Sequence, residues 1–424
     1  MADVMIAVMP FAGHVAPLAA VASAFHEAGH SVRVYTGSAH AARFAGIGAE
    51  VVPWTRAPDF DENDLQATFP MLRGRKGPLQ MLANVEHVFI GTAAAQGDDL
   101  VAEFARRPWD VIVADGLSLG AHLASERTAT PWVTVSIVPL SIPTDELPPP
   151  GLGIRPARGR MGRLRDRLLY RTMGFATRGM RRAYLEQRTA SGLPDANVAF
   201  EQAWYSPTLV CATGVRSLEY PRRGYPTRVE FVGSLSPAGS PGLSLPEWWT
   251  GLPSQRPIVH VTQGTLNVDP DDLIRPALSA LGRQPVSIVA TSGRADEPEL
   301  PFPVPPNAYV AGLVDYAALL PRVDVMVTNG GWGGVLAALA HGIPLVVAGG
   351  DLDKPEIAAR VEWAGAGVDL RTGRPTPIAV LRAWRRVSED PAFRRNAERL
   401  GAELRQHDGP REVVEHTIRL VDGD

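Results

Sequence analysis

Cysteine is almost absent from this 424-residue chain, whose single thiol is Cys211 in the apolar run TLVCAT. One cysteine cannot form an internal disulfide, and it excludes a cysteine-rich zinc site. The ordinary role of a cysteine in such a run is that of a small buried hydrophobic side chain. The cysteine content therefore indicates a reducing compartment, and we expect a cytoplasmic protein.

Long apolar runs and a strong excess of one charge are missing as well. No apolar stretch reaches the roughly 18 residues of a membrane-spanning helix, and the first strand-like run, VMIAVMP, follows no basic leader. The formal net charge is −3, which provides no broad basic field for nucleic acid or for a membrane. We therefore expect small-molecule partners, no nucleic acid and no stable membrane insertion. A monomer and a homodimer both remain open.

Short runs rich in Val and Ile alternate with helical patterns, which predicts parallel sheets covered by helices on both faces. The alternation stops at a stretch dense in Pro, Gly and Ser and then restarts. We predict an α/β protein with two Rossmann-like domains, at residues 1–235 and 258–390, joined by a linker at 236–257. Helices at 391–424 could cross back to the first domain. The two parallel sheets would face a deep interdomain cleft, where ligands usually bind.

The predicted strands fall into two series separated by the linker. They are Val4–Met9, Val32–Thr36, Val51–Trp54, Asp110–Asp115, Trp132–Ser136, Leu209–Thr213 and Phe231–Val232, and then Ile258–Thr262, Ser287–Thr291, Tyr309–Leu313, Val323–Thr328 and Leu345–Ala348.

A glycine-rich turn follows the strand that ends at Thr328, with glycines at 330, 331, 333 and 334. Glycines let the backbone turn tightly and approach a ligand, and the helix predicted over Gly334–Ala340 would direct its first N–H groups into the turn. The turn therefore predicts a phosphate-binding site. No Gly-Lys-Ser/Thr follows, so it is not a Walker A loop. The alternative is a turn that serves only close packing of helix and strand.

Two strand ends place an imidazole and a carboxylate on one rim of the first sheet. The first strand runs into PFAGHVAP, where Gly13 would turn the chain, His14 would face the cleft and Pro17 would open the next helix. The run DVIVAD ends at Asp115. A carboxylate beside an imidazole fixes its tautomer and stabilises the imidazolium, as general base catalysis requires. The alternatives are a histidine bonded to backbone and an aspartate that caps a helix.

Two further motifs point to other enzyme classes. Gly116–Gly120 reads GLSLG, the GxSxG pattern of a serine hydrolase with Ser118 as the nucleophile, although no HGG-type oxyanion sequence precedes it. His26–His30 reads HEAGH, the zinc-protease pattern. Gly29 is a typical helix terminator, so we expect His30 to leave the helix face that metal binding requires.

The second half carries polar groups at two other strand ends. Thr262–Thr265 surrounds Gly264 with hydroxyl and amide groups suited to a diphosphate, and Asp351 and Asp353 could bind sugar hydroxyls or merely cap a helix. Two insertions, at Pro58–Pro78 and Leu140–Gly162, interrupt the first half and predict a substrate wall or lid. The basic helical segment at 164–191 is expected to be a solvated face.

The motifs GHVAP, DVIVAD, VEFVGSLSP and VTQGT, and above all the stretch from Pro306 through the glycine-rich turn to Val368, resemble the family 1 glycosyltransferases with the GT-B fold. The resemblance extends over essentially the whole chain. It is strongest to bacterial enzymes that decorate macrolides and other natural products.

The resemblance implies inverting transfer of a sugar from a nucleoside-diphosphate sugar, as co-substrate, to a hydroxyl of a hydrophobic small molecule, without a metal or another cofactor. His14 matches the general base and Asp115 its partner. The donor-binding residues implied are Gly13, Gly264, Thr265, Leu313, Val314, Asn329, Gly331, Trp332, Gly333, Gly334, Val335, Asp353 and Lys354. The acceptor would contact Phe11, Phe69 and Ile142.

The sequence departs from the family pattern at three places. Asn329 stands where histidine is common before the glycines, Leu313–Tyr316 replaces Trp-Val-Pro-Gln, and Lys354 replaces a glutamine. UDP-glucose is the expected donor, followed by a dTDP-deoxysugar. A serine hydrolase using Ser118 and a non-catalytic nucleotide-binding protein of the same fold are the alternatives.

Overall fold

The computed structural model describes residues 1–74, 77–144, 146–157, 159–195, 202–235, 243–253, 255–264, 269–295 and 299–423. These residues form two parallel sheets. The first contains β1 (Asp3–Ala7), β2 (Ser31–Thr36), β3 (Glu50–Pro53), β4 (Val111–Asp115), β5 (Trp132–Ser136), β6 (Leu209–Ala212) and β7 (Arg228–Phe231). The second contains β8 (Ile258–Thr262), β9 (Ser287–Thr291), β10 (Ala308–Ala311), β11 (Val325–Thr328), β12 (Leu345–Val347) and β13 (Gly367–Asp369).

Helices cover both sheets. The α-helices in the first half are α1 (Ala12–Glu27), α2 (Ala41–Ala45), α3 (Leu65–Thr68), α4 (Gly77–Asn84), α5 (Ala93–Arg106), α6 (Leu119–Thr128), α7 (Gly159–Ala176) and α8 (Arg178–Ala190). A π-helical segment at Val85–Ile90 joins α4 and α5. Those in the second half are α9 (Ile274–Leu281), α10 (Tyr316–Leu319), α11 (Trp332–Ala340), α12 (Lys354–Trp363), α13 (Pro377–Glu389), α14 (Pro391–Leu404) and α15 (Gly409–Asp422).

The strand orders are β3-β2-β1-β4-β5-β6-β7 and β10-β9-β8-β11-β12-β13, and all named pairs within the two sheets are parallel. The central strands are runs of Val, Ile and Ala that are buried on both faces, as parallel sheets require. In each sheet the order reverses between two neighbouring strands, β1 and β4 in the first and β8 and β11 in the second. Ligands bind at such switch points, beyond the carboxyl ends of the strands. The predicted α/β class is therefore confirmed.

The C-terminal helix packs against the first half of the chain. Helix α15 contacts α1, and Val413 and Val414 lie in the apolar cluster beneath the first sheet. A methyl group on Gly409 would approach the Val232 carbonyl oxygen to 2.5 Å, so the chain passes close to the end of β7 at this point. In the described part of the chain, no helix is long and apolar enough to cross a bilayer.

Several predicted element boundaries were wrong. Pro17 lies inside α1, which begins at Ala12, and the Glu62 carboxylate accepts the Ala12 N–H at 3.0 Å. Gly13 is therefore helical. The last strand of the first sheet ends at Phe231, and β13 was not predicted.

Candidate active site

His14 and Asp115 meet at the switch point of the first sheet. His14 is the third residue of α1 and Asp115 the last of β4, and the His14 Nδ1 lies 3.2 Å from the Asp115 Oδ1. The N–H direction falls short of a well-aligned hydrogen bond. The His14 side chain keeps 14% of its surface exposed, whereas Asp115 is fully buried. Because Nδ1 faces the carboxylate, Nε2 is the nitrogen left for a substrate.

Backbone groups fix the Asp115 carboxylate. It accepts N–H groups from Met9 at 2.7 Å and Leu117 at 2.8 Å, and the Ser118 hydroxyl donates to it at 3.1 Å. Burial would raise the pKa of Asp115, but the nearby His14 and these donors outweigh burial and lower it. Asp115 is therefore an anion that can orient an imidazole and stabilise its protonated form.

Ser118 does not have the surroundings of a hydrolase nucleophile. Its side chain is buried, and the hydroxyl donates to the carboxylate of Asp115 rather than to an imidazole. It directly precedes α6, which begins at Leu119. In the HExxH segment, α1 ends at Glu27, Gly29 has φ 81°, and His30 Nδ1 accepts the Ala2 N–H. Among the described residues, no group of three or more His, Cys, Asp or Glu side chains could hold a metal ion.

Aromatic rings surround His14. The Phe11 ring lies 5.6 Å from the imidazole and 5.5 Å from Phe89, and Phe89 stacks on His14 at 6.4 Å. Phe60 contacts Phe11 at 5.2 Å. Together, Phe11, Phe60 and Phe89 form an apolar aromatic group beside His14, which we call the aromatic wall.

Two of the three residues predicted to contact the acceptor have buried side chains. Phe69 is buried and packs against Phe60, which is part of the aromatic wall. Ile142 is buried in a separate apolar cluster with Leu140 and Tyr205. Sequence reasoning missed Phe89, which sits in the π-helical segment, and Glu62, whose carboxylate caps α1 and lies 3.5 Å from His40 Nε2.

The glycine-rich turn lies at the switch point of the second sheet. Gly330 has φ 92°, a left-handed conformation that favours glycine, and α11 begins two residues earlier than predicted, at Trp332. The first intrahelical hydrogen bond runs from the Val335 N–H to the Gly331 carbonyl. The N–H groups of residues 332–334 precede that bond and point out of the helix end, where they favour an anion.

Three residues predicted to bind the donor have side chains committed elsewhere. Asn329 Nδ2 donates to the Gln263 carbonyl, and its Oδ1 accepts the Gly331 N–H, so it ties β11 to β8. Trp332 Nε1 donates to Thr213 Oγ1 of the first domain at 2.8 Å. Val335 is fully buried, and its N–H is used within the helix.

The remaining donor residues vary in exposure. Leu313 is half-buried, whereas the Val314 side chain joins the core cluster below the second sheet. The Tyr316 ring turns inward to His260, so it offers no platform to a nucleotide base. Gly264 has φ 73° and lies against Asn329. Thr265 lies outside the described residues.

Two charged residues, Asp353 and Lys354, lie at the start of α12. Burial raises the pKa of the Asp353 carboxyl, and the positive charges of Lys354 and His14 partly offset this rise. Lys354 Nζ contacts Asp351 at 2.5 Å, and its Cβ would lie 3.6 Å from a methyl group on Gly330. The glycine turn and the start of α12 are therefore neighbours.

Comparisons with known proteins identify relatives of this chain. Residues 275–420 match the family model described as the erythromycin biosynthesis protein CIII-like C-terminal domain. The 4'-demethylrebeccamycin synthase of Lentzea aerocolonigenes is 41% identical over 426 residues, covering 100% of this chain and 99% of that protein. UDP-glucosyltransferase A1 of Starmerella bombicola is 29% identical, covering 97% and 91%.

Solved structures establish the fold. The glycotransferase of kitacinnamycin matches with a TM-score of 0.73 at 21% identity, over 99% of this chain and 98% of its own. CalG4, the calicheamicin glycosyltransferase, matches with a TM-score of 0.73 at 19% identity, over 100% and 98%. The predicted GT-B fold is thereby confirmed. Since a relative 41% identical matches it along its whole length, the chain belongs to the natural-product glycosyltransferases with the GT-B fold and an EryCIII-like C-terminal domain.

Proposed function

We propose that the protein is an inverting O-glycosyltransferase that transfers a sugar from a nucleoside-diphosphate sugar to a hydroxyl of a hydrophobic natural product. The observation that carries this proposal is the His14–Asp115 pair at the switch point of the first sheet, together with the N-terminus of α11, where Trp332 Nε1 donates to Thr213 of the first domain. In this proposal the sugar lies between the proton acceptor and the anion-binding helix end.

In the proposed reaction, each of these groups has a defined role in the transfer of the sugar. His14 Nε2 takes the proton of the acceptor hydroxyl while that oxygen attacks the anomeric carbon from the side opposite the diphosphate. The new carbon–oxygen bond forms as the bond to the diphosphate breaks, and its electron pair leaves on the phosphate oxygen. The N–H groups at the start of α11 meet the departing charge, so the mechanism needs no metal ion or other cofactor. Asp115 stabilises the imidazolium.

The donor we favour is UDP-glucose, because several relatives are named UDP-glucosyltransferases. A dTDP-sugar is the second candidate, since the related fold of VinC was solved with dTDP. Asp353 and Lys354 at the start of α12 would bind the sugar hydroxyls. The aromatic wall suits a flat, apolar acceptor that carries a hydroxyl, and the buried thiol of Cys211 is consistent with a cytoplasmic enzyme.

Mass spectrometry of reactions with UDP-glucose and dTDP-glucose against hydroxylated aromatic acceptors tests the proposal. The expected product gains one sugar, and chelation of divalent metals should leave the rate unchanged. His14→Ala should lower kcat by about 10²- to 10⁴-fold while the donor Kd from calorimetry stays within about twofold.

Two results would contradict the assignment. Unchanged turnover of the His14→Ala variant would remove the histidine from the chemistry. Donor binding without product from any acceptor would favour a non-catalytic nucleotide-binding protein on the same fold.

A further inference from the structure

Helix α7 presents an apolar stripe to solvent. The side chains of Met161, Leu164, Leu168 and Phe175 are 87%, 57%, 54% and 69% exposed. At roughly 100° per residue they fall within about 60° of the helix circumference. A helix usually turns such a stripe toward the core, so its exposure here indicates a binding surface.

The opposite face of α7 holds the helix against the protein. Asp166 is buried, and its Oδ2 accepts the Ala157 N–H at 3.1 Å. Leu169, Tyr170 and Met173, on the same side, are half-buried. The inward face is therefore already occupied, and the apolar stripe cannot rotate inward without exposing a buried carboxylate.

Basic side chains flank the apolar stripe. Helix α7 carries five arginines against one aspartate, although the whole chain has a formal net charge of −3. Arg160, Arg163, Arg167 and Arg171 lie on one side of the stripe and Arg165 on the other. This three-sided pattern, with one face buried, one basic and one apolar, is typical of helices that lie in a membrane interface.

An arginine-lined cavity of about 420 Å³ opens beside the apolar stripe, between α7 and residues 221–223. Glu146 pairs there with Arg223 at 2.9 Å, so among the described residues of the lining Arg163, Arg167 and Arg222 are in excess. Arg222 donates through Nη2 to the Ile142 carbonyl. Its Nε and Nη1 are buried and have no hydrogen-bond partner among the described residues. The excess positive charge of the described lining makes the cavity suited to a phosphate group.

The positive charge beside the apolar stripe favours one binding partner over another. A second copy of the chain would bring two surfaces of the same positive charge together in a two-fold interface, and like charges would repel. An anionic bilayer offers both complements at once, acyl chains for the apolar stripe and phosphate groups for the arginines. We propose that α7 and the arginine-lined cavity form a surface that binds anionic phospholipid membranes reversibly and peripherally.

Sedimentation of the full chain with lipid vesicles tests this proposal. Vesicles rich in phosphatidylglycerol should bind the protein at low salt, pure phosphatidylcholine should bind it weakly, and high salt should release it. Replacing Arg163 and Arg167 by Gln should weaken binding by about fivefold for each arginine. Matched substitutions at Arg106 and Arg411, exposed and far from α7 in sequence, should leave binding unchanged.

The apolar stripe has its own test. Combined Met161→Ser, Leu164→Ser and Leu168→Ser should lower vesicle affinity by about a hundredfold or more and leave the melting temperature unchanged. Ile378→Ser, at another exposed apolar side chain, should bind as the wild type does.

Three results would overturn the proposal. The first is no binding to anionic vesicles at low salt. The second is equal binding by the triple-serine variant. The third is a wild-type dimer that this variant converts to a monomer in sedimentation velocity while vesicle binding persists, because the stripe would then serve a second copy.

Discussion

The carboxylate of Asp115 is surrounded by donors. Two backbone N–H groups, the Ser118 hydroxyl and His14 all approach it, and none of its surface is exposed. A buried carboxylate with this many partners cannot change rotamer without leaving donors unpaired. Its position, and hence that of the imidazole, is set by the backbone rather than by side-chain packing.

Substitutions at Ser118 and Asp115 separate the transferase from the hydrolase hypothesis. Ser118→Ala removes one of several donors to Asp115, so we expect a stability cost of about 1 kcal/mol and glycosyl transfer within about tenfold of wild type. Asp115→Asn keeps the shape but removes the charge that stabilises the imidazolium. Its kcat should fall by roughly 10²- to 10⁴-fold with little change in donor KM.

Steady-state kinetics and thermal unfolding of both variants provide the measurement. Loss of all activity in Ser118→Ala, together with ester cleavage by the wild type, would instead support a serine nucleophile.

His14 and Asp115 could be located from the sequence because each ends a strand of clear pattern. Phe89 and Glu62 could not. Phe89 lies in a π-helical segment, where the 3.6-residue period that predicts facing is broken. Glu62 comes from an insertion without periodicity, and only the tertiary fold brings it to the start of α1.

At the scale of elements, the two glycines that precede α11 differ in backbone conformation and in the space around them. Gly330 has φ 92°, and a methyl group there would meet Val347 Cγ1 at 2.9 Å. Gly331 has an ordinary φ of −59°, and among the described residues a methyl group there would find only Asn329 Oδ1, at 3.9 Å. The first glycine is needed for folding, whereas no other described atom lies close to the position of a methyl group on the second.

Gly331→Ala should therefore report on the ligand alone. We expect an unchanged melting temperature and a donor KM raised by about tenfold, roughly 1.4 kcal/mol, with the acceptor KM unaffected. Gly330→Ala should destabilise the protein by about 1–3 kcal/mol through strain and the contact with Val347. A wild-type donor KM in Gly331→Ala would mean that no ligand approaches this turn.

The same elements show what sequence patterns left undetermined. The helix after the turn was predicted, but the direction of the Trp332 side chain depends on Thr213 in the other domain. The short strand β13 was not predicted because its three residues, Gly367–Asp369, are too few to show a hydrophobic pattern. The central strands were predicted well because their apolar runs are buried on both faces.

At the scale of the whole molecule, the insertion at Leu140–Gly162 joins the two domains. The Gly151 and Gly153 N–H groups donate to Glu356 of α12 at 3.0 and 2.8 Å. A methyl group on Gly153 would meet Pro355 at 2.7 Å, so the loop lies directly on the start of α12. Part of the predicted substrate wall is thus an interdomain contact, next to the residues proposed to bind the sugar.

Arg360 of α12 completes that contact. It is buried and reaches Glu219 at 2.9 Å, Glu356 at 2.7 Å and the Leu140 carbonyl at 2.9 Å. Tyr220 lies beneath the guanidinium at 4.6 Å. Two carboxylates from different domains therefore share one buried cation.

Arg360→Met should uncouple the domains because it leaves Glu219 and Glu356 as unpaired buried charges, a cost of about 3–5 kcal/mol. Calorimetry should then show a lowered first transition, separated from the second. Adding Glu219→Gln and Glu356→Gln should recover most of the loss, since neutral amides are less costly to bury. Arg155→Ala, which breaks a partly exposed pair with Glu362, should cost at most about 1 kcal/mol.

Because α12 begins with the residues proposed to hold the sugar, Arg360→Met should also raise the donor KM more than the acceptor KM. A variant that unfolds in one transition at the wild-type temperature would show that the domains are coupled elsewhere, with the Trp332–Thr213 contact as the next site to test.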